Sequence, residues 1–426
     1  MPDYLFLMES RLSPDQWQAV QKMQTAASSL GMNLYLVGGA VRDLIGGFPI
    51  EDLDFVTEGK ALKLIRALDR REVRVLWQNE ALQESEIEFS TGVLASLCTA
   101  RSSSDTKPSS GAAPATILDD LKRRDFSVNA IGISLNPHSL GLLLDPTNGV
   151  ADIEKKEIRT LRNYSFLEDP IRLFCAVRFR TRLGFSLDSK TASQFRNAVE
   201  GEVWEEISKE SLAQELRQIA REREPAAILK ELEKEGLLAA LSPRLRKKGL
   251  DWAVFSRASK SRHELDEAGF HIRSFPLLLY LLTRQLSPNE RRQLAKRLGL
   301  KRLELEAWRR LEEDTKHLAK ELAGKAMDTP LKLYQRLAAT PPEKIQLLLI
   351  ESSDRKVHSR VKTYLQRYLP LRSNLPVEGL RELGVAPGAP RHQKILESYF
   401  QAQLEGKLRT RTDQMRFLKK MVQEKK

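Results

Sequence analysis

Short apolar runs with the two-residue rhythm of strands fill the first third of this 426-residue chain, and beyond about Ile153 they give way to the longer rhythm of helices. Leu34–Val37, Leu53–Thr57, Val73–Trp77 and Ile87–Ser90 read as strands, with a helix-like segment over Gly59–Arg71 among them. Ser13-Pro14 opens an earlier helix, with serine as cap and proline in the first turn, and Gly31 is its natural stop. Leu34–Val37 runs into Gly38-Gly39, which lets the backbone turn tightly, and Ala40–Ile45 continues as a short helix before Gly46-Gly47. These elements predict a small mixed sheet with helices packed on it over about the first 135 residues. Arg101–Pro114 interrupts that sheet with the composition of a flexible loop. Then Glu168–Arg182, Thr191–Ala198, Ser211–Arg221 and Pro225–Glu235 read as successive helices, and the remainder is expected to be almost wholly α-helical. Breakers such as Pro370 and Pro376 fall too irregularly to mark a repeat.

Three polar blocks sit on this frame. In the first, Asp52 and Asp54 alternate with Leu53 and Phe55, so both carboxylates are expected on one strand face, where two hard oxygen ligands suit Mg²⁺. The turn at Gly38-Gly39, followed by Arg42, places helix-start amides where a triphosphate is received. The second block runs Asp119–Ala130; Arg123 and Arg124 beside Asp125 and Asn129 supply forked donors and two acceptors for phosphate oxygens and ribose hydroxyls. It precedes a strand-like Ile131–Leu135, hence a sheet edge. In the third, Glu168-Asp169-Pro170-Ile171-Arg172 leads to Arg178-Phe179, with Asp169 and Arg172 expected on one helix face and Glu168 bracing the guanidinium. One acceptor beside one forked donor matches cytosine and adenine, which present an amine next to a bare ring nitrogen. Guanine and uracil present a carbonyl next to a ring N–H and meet clashing groups. Each block alone has a plainer reading, as a connecting turn, a solvated loop or a surface ion pair. Their order on one strand–turn–helix–strand frame sets them apart.

Charge and composition narrow the partners. A formal charge of +13 and a pI near 9.6 favour a large anionic partner. Residues 401–426 hold eight Lys and Arg against three acids, a basic tail suited to nucleic acid. Cys98 and Cys175 are too few for a disulfide framework or a metal cluster, which fits a reducing cytoplasm. No stretch approaches the length of a membrane span, Phe275–Leu282 being of core-helix length, and the amino terminus makes a poor signal peptide. No Walker A or His-Glu-x-x-His pattern is present, and no His-Asp hydrolase motif stands out among the six histidines.

Taken in order, the blocks resemble the class II nucleotidyltransferases that add CCA to tRNA and their bacterial poly(A) polymerase relatives. Gly38–Asp43 with Asp52-Leu53-Asp54 is similar to the family's first motif, Arg123–Ala130 to its second, and Glu168–Arg172 to its nucleotide-selecting motif. Asp145–Ile153, continuing to Ile158-Arg159, resembles the motif that links head and neck. The resemblance covers roughly residues 30–220 and implies an α+β fold. Residues 1–136 would be a polymerase-beta-like catalytic head, 137–222 a helical neck with the selecting motif, and 223–426 a helical, RNA-binding body with a basic tail. It implies that Asp52 and Asp54 hold Mg²⁺ as the catalytic pair. Gly38, Gly39, Arg42, Arg123, Arg124, Asp125, Asn129, Glu168, Asp169, Arg172 and Arg178 would contact the nucleotide. CTP and ATP would be the substrates and the tRNA 3′ end the acceptor. Glu88 is a candidate third carboxylate. Cys175 and Ser211 stand where the family usually carries arginine, and Arg101–Pro114 lacks a Glu-x-Tyr pattern, its one acid being Asp105. Restriction to CC, to the terminal A or to poly(A) therefore stays open. The rival of another class, a non-catalytic RNA-binding protein on a transferase fold, has no use for paired metal ligands.

Overall fold

Strand β1 (Leu34–Val37) is buried at all four residues, as a strand in the middle of a covered sheet must be. It pairs antiparallel with β2 (Leu53–Thr57) on one side and with β6 (Gly132–Ser134) on the other. Between β2 and β6 along the chain come β3 (Val73–Asn79), β4 (Glu84–Phe89) and β5 (Leu94–Thr99), and β7 (Leu143–Leu144) follows. The seven-stranded order is β3-β4-β5-β2-β1-β6-β7, with β2 and β5 parallel and the other neighbours antiparallel. In the computed structural model the described residues are 3–423 except 103–114, 273 and 387–388. Most of the expected loop, including Asp105, therefore lies outside them.

Helices cover this sheet. They are α1 (Tyr4–Arg11), α2 (Pro14–Ser29), α3 (Gly38–Gly46), α4 (Ala61–Ala67) and α5 (Ile117–Lys122). The start of α2 is the one the sequence predicts: Ser13 and Gln16 cap each other's backbone amides, and Gly31 takes the left-handed conformation past the end. Strand β5 was not among the expected strands, because Ala95, Ser96 and Cys98 are too small to stand out as a strand pattern. Its alternation is nonetheless real, with Ala95 and Leu97 buried and Ser96 facing the other way.

After the sheet come α6 (Gly149–Lys155), α7 (Ser165–Glu168), α8 (Arg172–Leu183) and α9 (Ser189–Glu200). A single helix was expected over Glu168–Arg182; the chain instead breaks at Asp169 and restarts at Arg172. Proline excludes the helical conformation from the residue before it, and Asp169 accordingly sits at φ −146°, ψ 86°. A short parallel pair, Glu157–Ile158 with Ser186–Leu187, is a second departure from the all-helical expectation.

The described chain divides into Met1–Ser208 with Lys234–Ala240, and Lys209–Glu233 with Leu241–Lys426. The first holds the sheet; the second, among its described residues, is helical throughout. Within the second, Phe275–Thr283 is buried at nearly every position and packs against Arg302–Ala323, while Trp252–Glu267 packs against Pro342–Glu351. Among the described residues no helix is long and apolar enough to cross a membrane.

Candidate active site

The two glycines bring the first two blocks together. Gly38 is at φ +66°, and a Cβ there would lie 2.7 Å from Arg124 Nη1 and 3.5 Å from Asp54 Oδ2. At Gly39 a Cβ would lie 3.3 Å from the same Asp54 oxygen. The positive φ favours glycine at Gly38, and a side chain there would have to displace the tip of Arg124 beside Asp54. Helix α3 starts at Gly38 itself, earlier than the expected Ala40, and its N-cap Val37 offers no side-chain acceptor. The Gly38 amide donates to the Ile131 carbonyl at 3.1 Å, and the amides that follow it have no capping side chain, the arrangement that an anion completes.

Asp52 immediately precedes β2 and Asp54 lies within it, both partly exposed, while Leu53 and Phe55 between and after them are buried. Strand alternation therefore puts the two carboxylates on one sheet face. Asp54 Oδ1 accepts a 2.7 Å hydrogen bond from Ser96 Oγ, a contact made possible by the unexpected strand β5. The register across β2, β5 and β4 aligns Asp54 with Ser96 and then Glu86. Glu88, the candidate third carboxylate, stands in the next row and is held by Arg74 Nε at 3.0 Å on the edge strand. Among the described residues no group of three or more His, Cys, Asp or Glu gathers as a metal cluster. Two carboxylates on one face, beside a turn shaped for phosphates, still fit Mg²⁺. That ion is commonly held by one or two protein carboxylates together with substrate phosphates.

Asp120 organises the second block. It is 2% exposed, and Arg124 donates to its Oδ2 from Nε at 3.1 Å and from Nη2 at 3.0 Å, while Arg123 Nε approaches Oδ1 at 3.4 Å. Burial works against the Arg124 charge, yet the surrounding negative groups, Asp120 and Asp54 among them, hold its pKa above the ordinary value. Asp120 is not among the expected site residues, although its spacing of three and four residues from the two arginines places all three on one helix face. Asn129 is buried, its Oδ1 accepting from Arg42 Nη1 at 2.7 Å and its Nδ2 donating to Asp125 Oδ1 at 3.0 Å.

Two expected nucleotide contacts prove to be deeply placed. Arg42 is 1% exposed; besides Asn129, it donates to both oxygens of Asp43 at 2.9 and 3.1 Å. Arg182 of α8 donates to the same Asp43 at 2.6 Å. Arg42 and Arg178 both lie over the Phe179 ring, at 4.9 and 4.3 Å, and Phe179 meets Phe126 edge-on at 5.9 Å. This network ties the first, second and third blocks together, so Arg42 acts by joining them and its guanidinium is spent internally.

In the third block Arg172 is buried, and its Nη1 donates to Ser165 Oγ at 2.7 Å. Asp169 Oδ2 stands 3.5 Å from Arg172 Nε, near enough for an ion pair and too long for a good hydrogen bond. Neither group is therefore saturated by the other. Glu168 does not brace Arg172 as expected: it pairs with Arg162 at 3.0 Å, because the break at Asp169-Pro170 turns it away from α8. Burial raises the Asp169 pKa from the ordinary aspartate value; Arg172 opposes the shift and Asp125 adds to it, which sets the third block in the field of the second.

The family model "Poly A polymerase head domain" matches residues 34–159. An A-adding tRNA nucleotidyltransferase of Halalkalibacterium halodurans is 28% identical over 430 residues, covering 98% of this chain and 96% of that protein. A multifunctional CCA protein of Xanthomonas campestris pv. campestris is 32% identical over 219 residues, 49% of this chain and 50% of that protein, so the chain spans about half of that relative. Among solved structures, a tRNA nucleotidyltransferase complexed with a primer tRNA and an incoming ATP analog aligns with a TM-score of 0.53 and 26% identity, over 82% of this chain and 99% of that one.

Proposed function

We infer the reaction from one premise: the chain belongs to the family of tRNA nucleotidyltransferases and poly(A) polymerases, with the family's head domain at residues 34–159. It transfers CMP and AMP from CTP and ATP to the 3′ end of tRNA. The observation that carries the reading is the close approach of Gly38-Gly39 to both Asp54 and Arg124, which joins a phosphate-shaped turn, a carboxylate pair and a guanidinium in one place. A second reading, restriction to the terminal A, is favoured by the near full-length likeness to an A-adding relative.

In this reading the amides at the start of α3 receive the triphosphate, and Arg124 and Arg123, steadied by Asp120, take phosphate and ribose oxygens. Asp125 accepts from the ribose, and Asn129 positions it through the 3.0 Å bond between them. Arg172, fixed by Ser165, donates to the bare ring nitrogen of cytosine or adenine while Asp169 accepts from the neighbouring amine. Glu168 steadies Arg162 beside that edge, and Arg178 and Arg42 lock the blocks through Phe179. The RNA 3′-oxygen attacks the α-phosphorus, its bond to phosphorus forms, the bond to the β-phosphate bridging oxygen breaks, and pyrophosphate leaves. Asp52 and Asp54 would hold Mg²⁺, which when bound eases loss of the 3′-hydroxyl proton and neutralises charge on the phosphates. A cytoplasmic setting belongs to the same reading and is supported by a cysteine count of two, too few for a disulfide framework.

The test offers tRNA transcripts ending at the discriminator base, at C and at CC, each with one labelled nucleotide. Stepwise addition of C, C and A supports the full reading, addition of A to the CC-ending transcript alone supports the second, and no incorporation with Mg²⁺ overturns both. A pH dependence follows from Asp169. Its role needs the ionised acceptor, so ATP and CTP affinity is expected to weaken as pH falls through a pKa lying above the ordinary aspartate value. Stability moves the other way: with the folded-state pKa raised, the fold favours neutral Asp169, and acidification over that window relieves the burial of its charge. KM for ATP and melting temperature, measured together across pH, check both signs. Asp169→Asn should lose the acidic limb of the KM profile.

A further inference from the structure

Asp54 does not present its two oxygens alike. Its Oδ1 accepts from Ser96 Oγ at 2.7 Å, whereas a Cβ built at Gly39 or Gly38 would meet its Oδ2, at 3.3 and 3.5 Å. One oxygen is tied to the neighbouring strand and the other looks at the glycine turn. Both ends of the tie sit on paired strands, since β2 and β5 run parallel with Asp54 opposite Ser96. Leu53 and Phe55 on one strand, and Ala95 and Leu97 on the other, are buried on the opposite face and pin the register that brings hydroxyl to acid. A hydroxyl has one proton to give, and this one goes to Asp54. Ser96 lies outside all three polar blocks and carries no ionisable group, so any part it has in transfer runs through Asp54.

We propose that Ser96 is a positioning residue: by occupying Oδ1 it makes Asp54 meet its cation through Oδ2 alone, on the side of the glycine turn, and so sets the site for Mg²⁺ over Ca²⁺. Mg²⁺ demands a near-ideal octahedron, which the narrow bite of a two-oxygen carboxylate strains. The larger Ca²⁺ accepts one oxygen or both. A hydrogen-bonding partner behind a metal ligand typically carries about ten- to a hundredfold in metal affinity, because it fixes the ligand before the ion arrives. The proposal rests on the reading that Asp52 and Asp54 hold Mg²⁺, and adds to it a residue that selects the ion.

The experiment takes the full chain as wild type, Ser96→Ala, Ser96→Thr, Asp54→Asn and the Ser96→Ala/Asp54→Asn double variant. Mn²⁺ binding is followed by loss of the free-ion EPR signal, and Mg²⁺ and Ca²⁺ by their displacement of bound Mn²⁺. Ser96→Ala should bind Mg²⁺ about tenfold more weakly and Ca²⁺ no more than about twofold more weakly, so the preference for Mg²⁺ falls. Its melting temperature should stay close to wild type, because the position is half-buried on the open face. Ser96→Thr keeps the hydroxyl and should restore the preference. Added to Asp54→Asn, Ser96→Ala should change nothing further, since its effect runs through the lost acid. Single-turnover addition by Ser96→Ala should need about tenfold more Mg²⁺ for half its maximal rate and recover most of that rate at saturating Mg²⁺. Wild-type affinities for both ions in Ser96→Ala would overturn the proposal and leave the carboxylate pair standing. Equal loss of both ions, or no restoration by Ser96→Thr, would reduce Ser96 to packing and overturn it as well. Should Ser96→Ala melt early, Ser96→Cys decides instead: it has a similar shape and a weak donor, and an unchanged ion preference there would overturn the proposal. Mn²⁺ binding that is the same in wild type and Asp54→Asn would sink the metal reading of Asp54 itself.

Discussion

Replacing Asp54 by Asn should lower kcat for nucleotide addition roughly a thousandfold or more, about 4 kcal/mol of transition-state stabilisation, while tRNA affinity stays within about twofold of the wild type. Asparagine keeps the shape and an acceptor for the 2.7 Å bond from Ser96, so the strand pairing of β2 with β5 should survive and the loss should be electrostatic. The charge of Asp54 also faces Arg124, whose guanidinium would then lose one of the groups that raise its pKa. Single-turnover addition to a CC-ending transcript, alongside tRNA binding and a melting curve, separates these effects. A variant that keeps more than a tenth of wild-type turnover would remove Asp54 from the catalytic pair. A variant that melts early would show that the loss came from the fold.

Asp120→Ala is the second large effect, and it acts on both stability and substrate. The carboxylate is almost wholly buried and is shared by Arg124, Arg123 and the Arg101 amide, which donates to it at 3.2 Å. Removing one partner of a buried pair leaves the others short of acceptors, at about 3–5 kcal/mol when both are buried. Arg124 and Arg123 keep 20% and 34% of their side-chain surface exposed, so solvent screens part of the loss and about 2–3 kcal/mol is expected. The melting temperature should fall by several degrees. KM for ATP should rise about tenfold or more, because a released Arg124 no longer stands against the glycine turn. Asp120→Asn retains an acceptor and should recover part of the stability and less of the affinity. Normal melting and normal KM in Asp120→Ala would show that the arginines are placed without it.

Much of this site was legible because its parts are local. The strand Leu34–Val37, the glycine turn and the Asp52–Asp54 alternation each lie within a few residues, and the observed strands β1 and β2 have the expected bounds. What went astray was non-local or depended on a break. Arg42 reads as a phosphate-facing arginine in sequence, yet its bond to Asn129 spans 87 positions and consumes it internally. Glu168 reads as a brace for Arg172 on one continuous helix, and the proline at 170 ended that helix before it could be one. Ser96 belongs to a strand of small residues whose pattern is weak, and its bond to Asp54 crosses 42 positions.

The sequence by itself determined which groups are present and which share an element: two acids on one strand face, two arginines beside an aspartate, an acceptor three residues before a donor. Backbone periodicity and the rigid preferences of glycine and proline act over a few residues, so they can be read along the chain. Only the tertiary structure decided which groups meet. It set Gly38 against Arg124 and Asp54, put Glu86 rather than Glu88 in the row of Asp54, and gathered three blocks around Phe179. Sheet register and core packing are properties of chain segments far apart in sequence. A shift of one residue in register turns a side chain to the other face, and no local pattern holds that information.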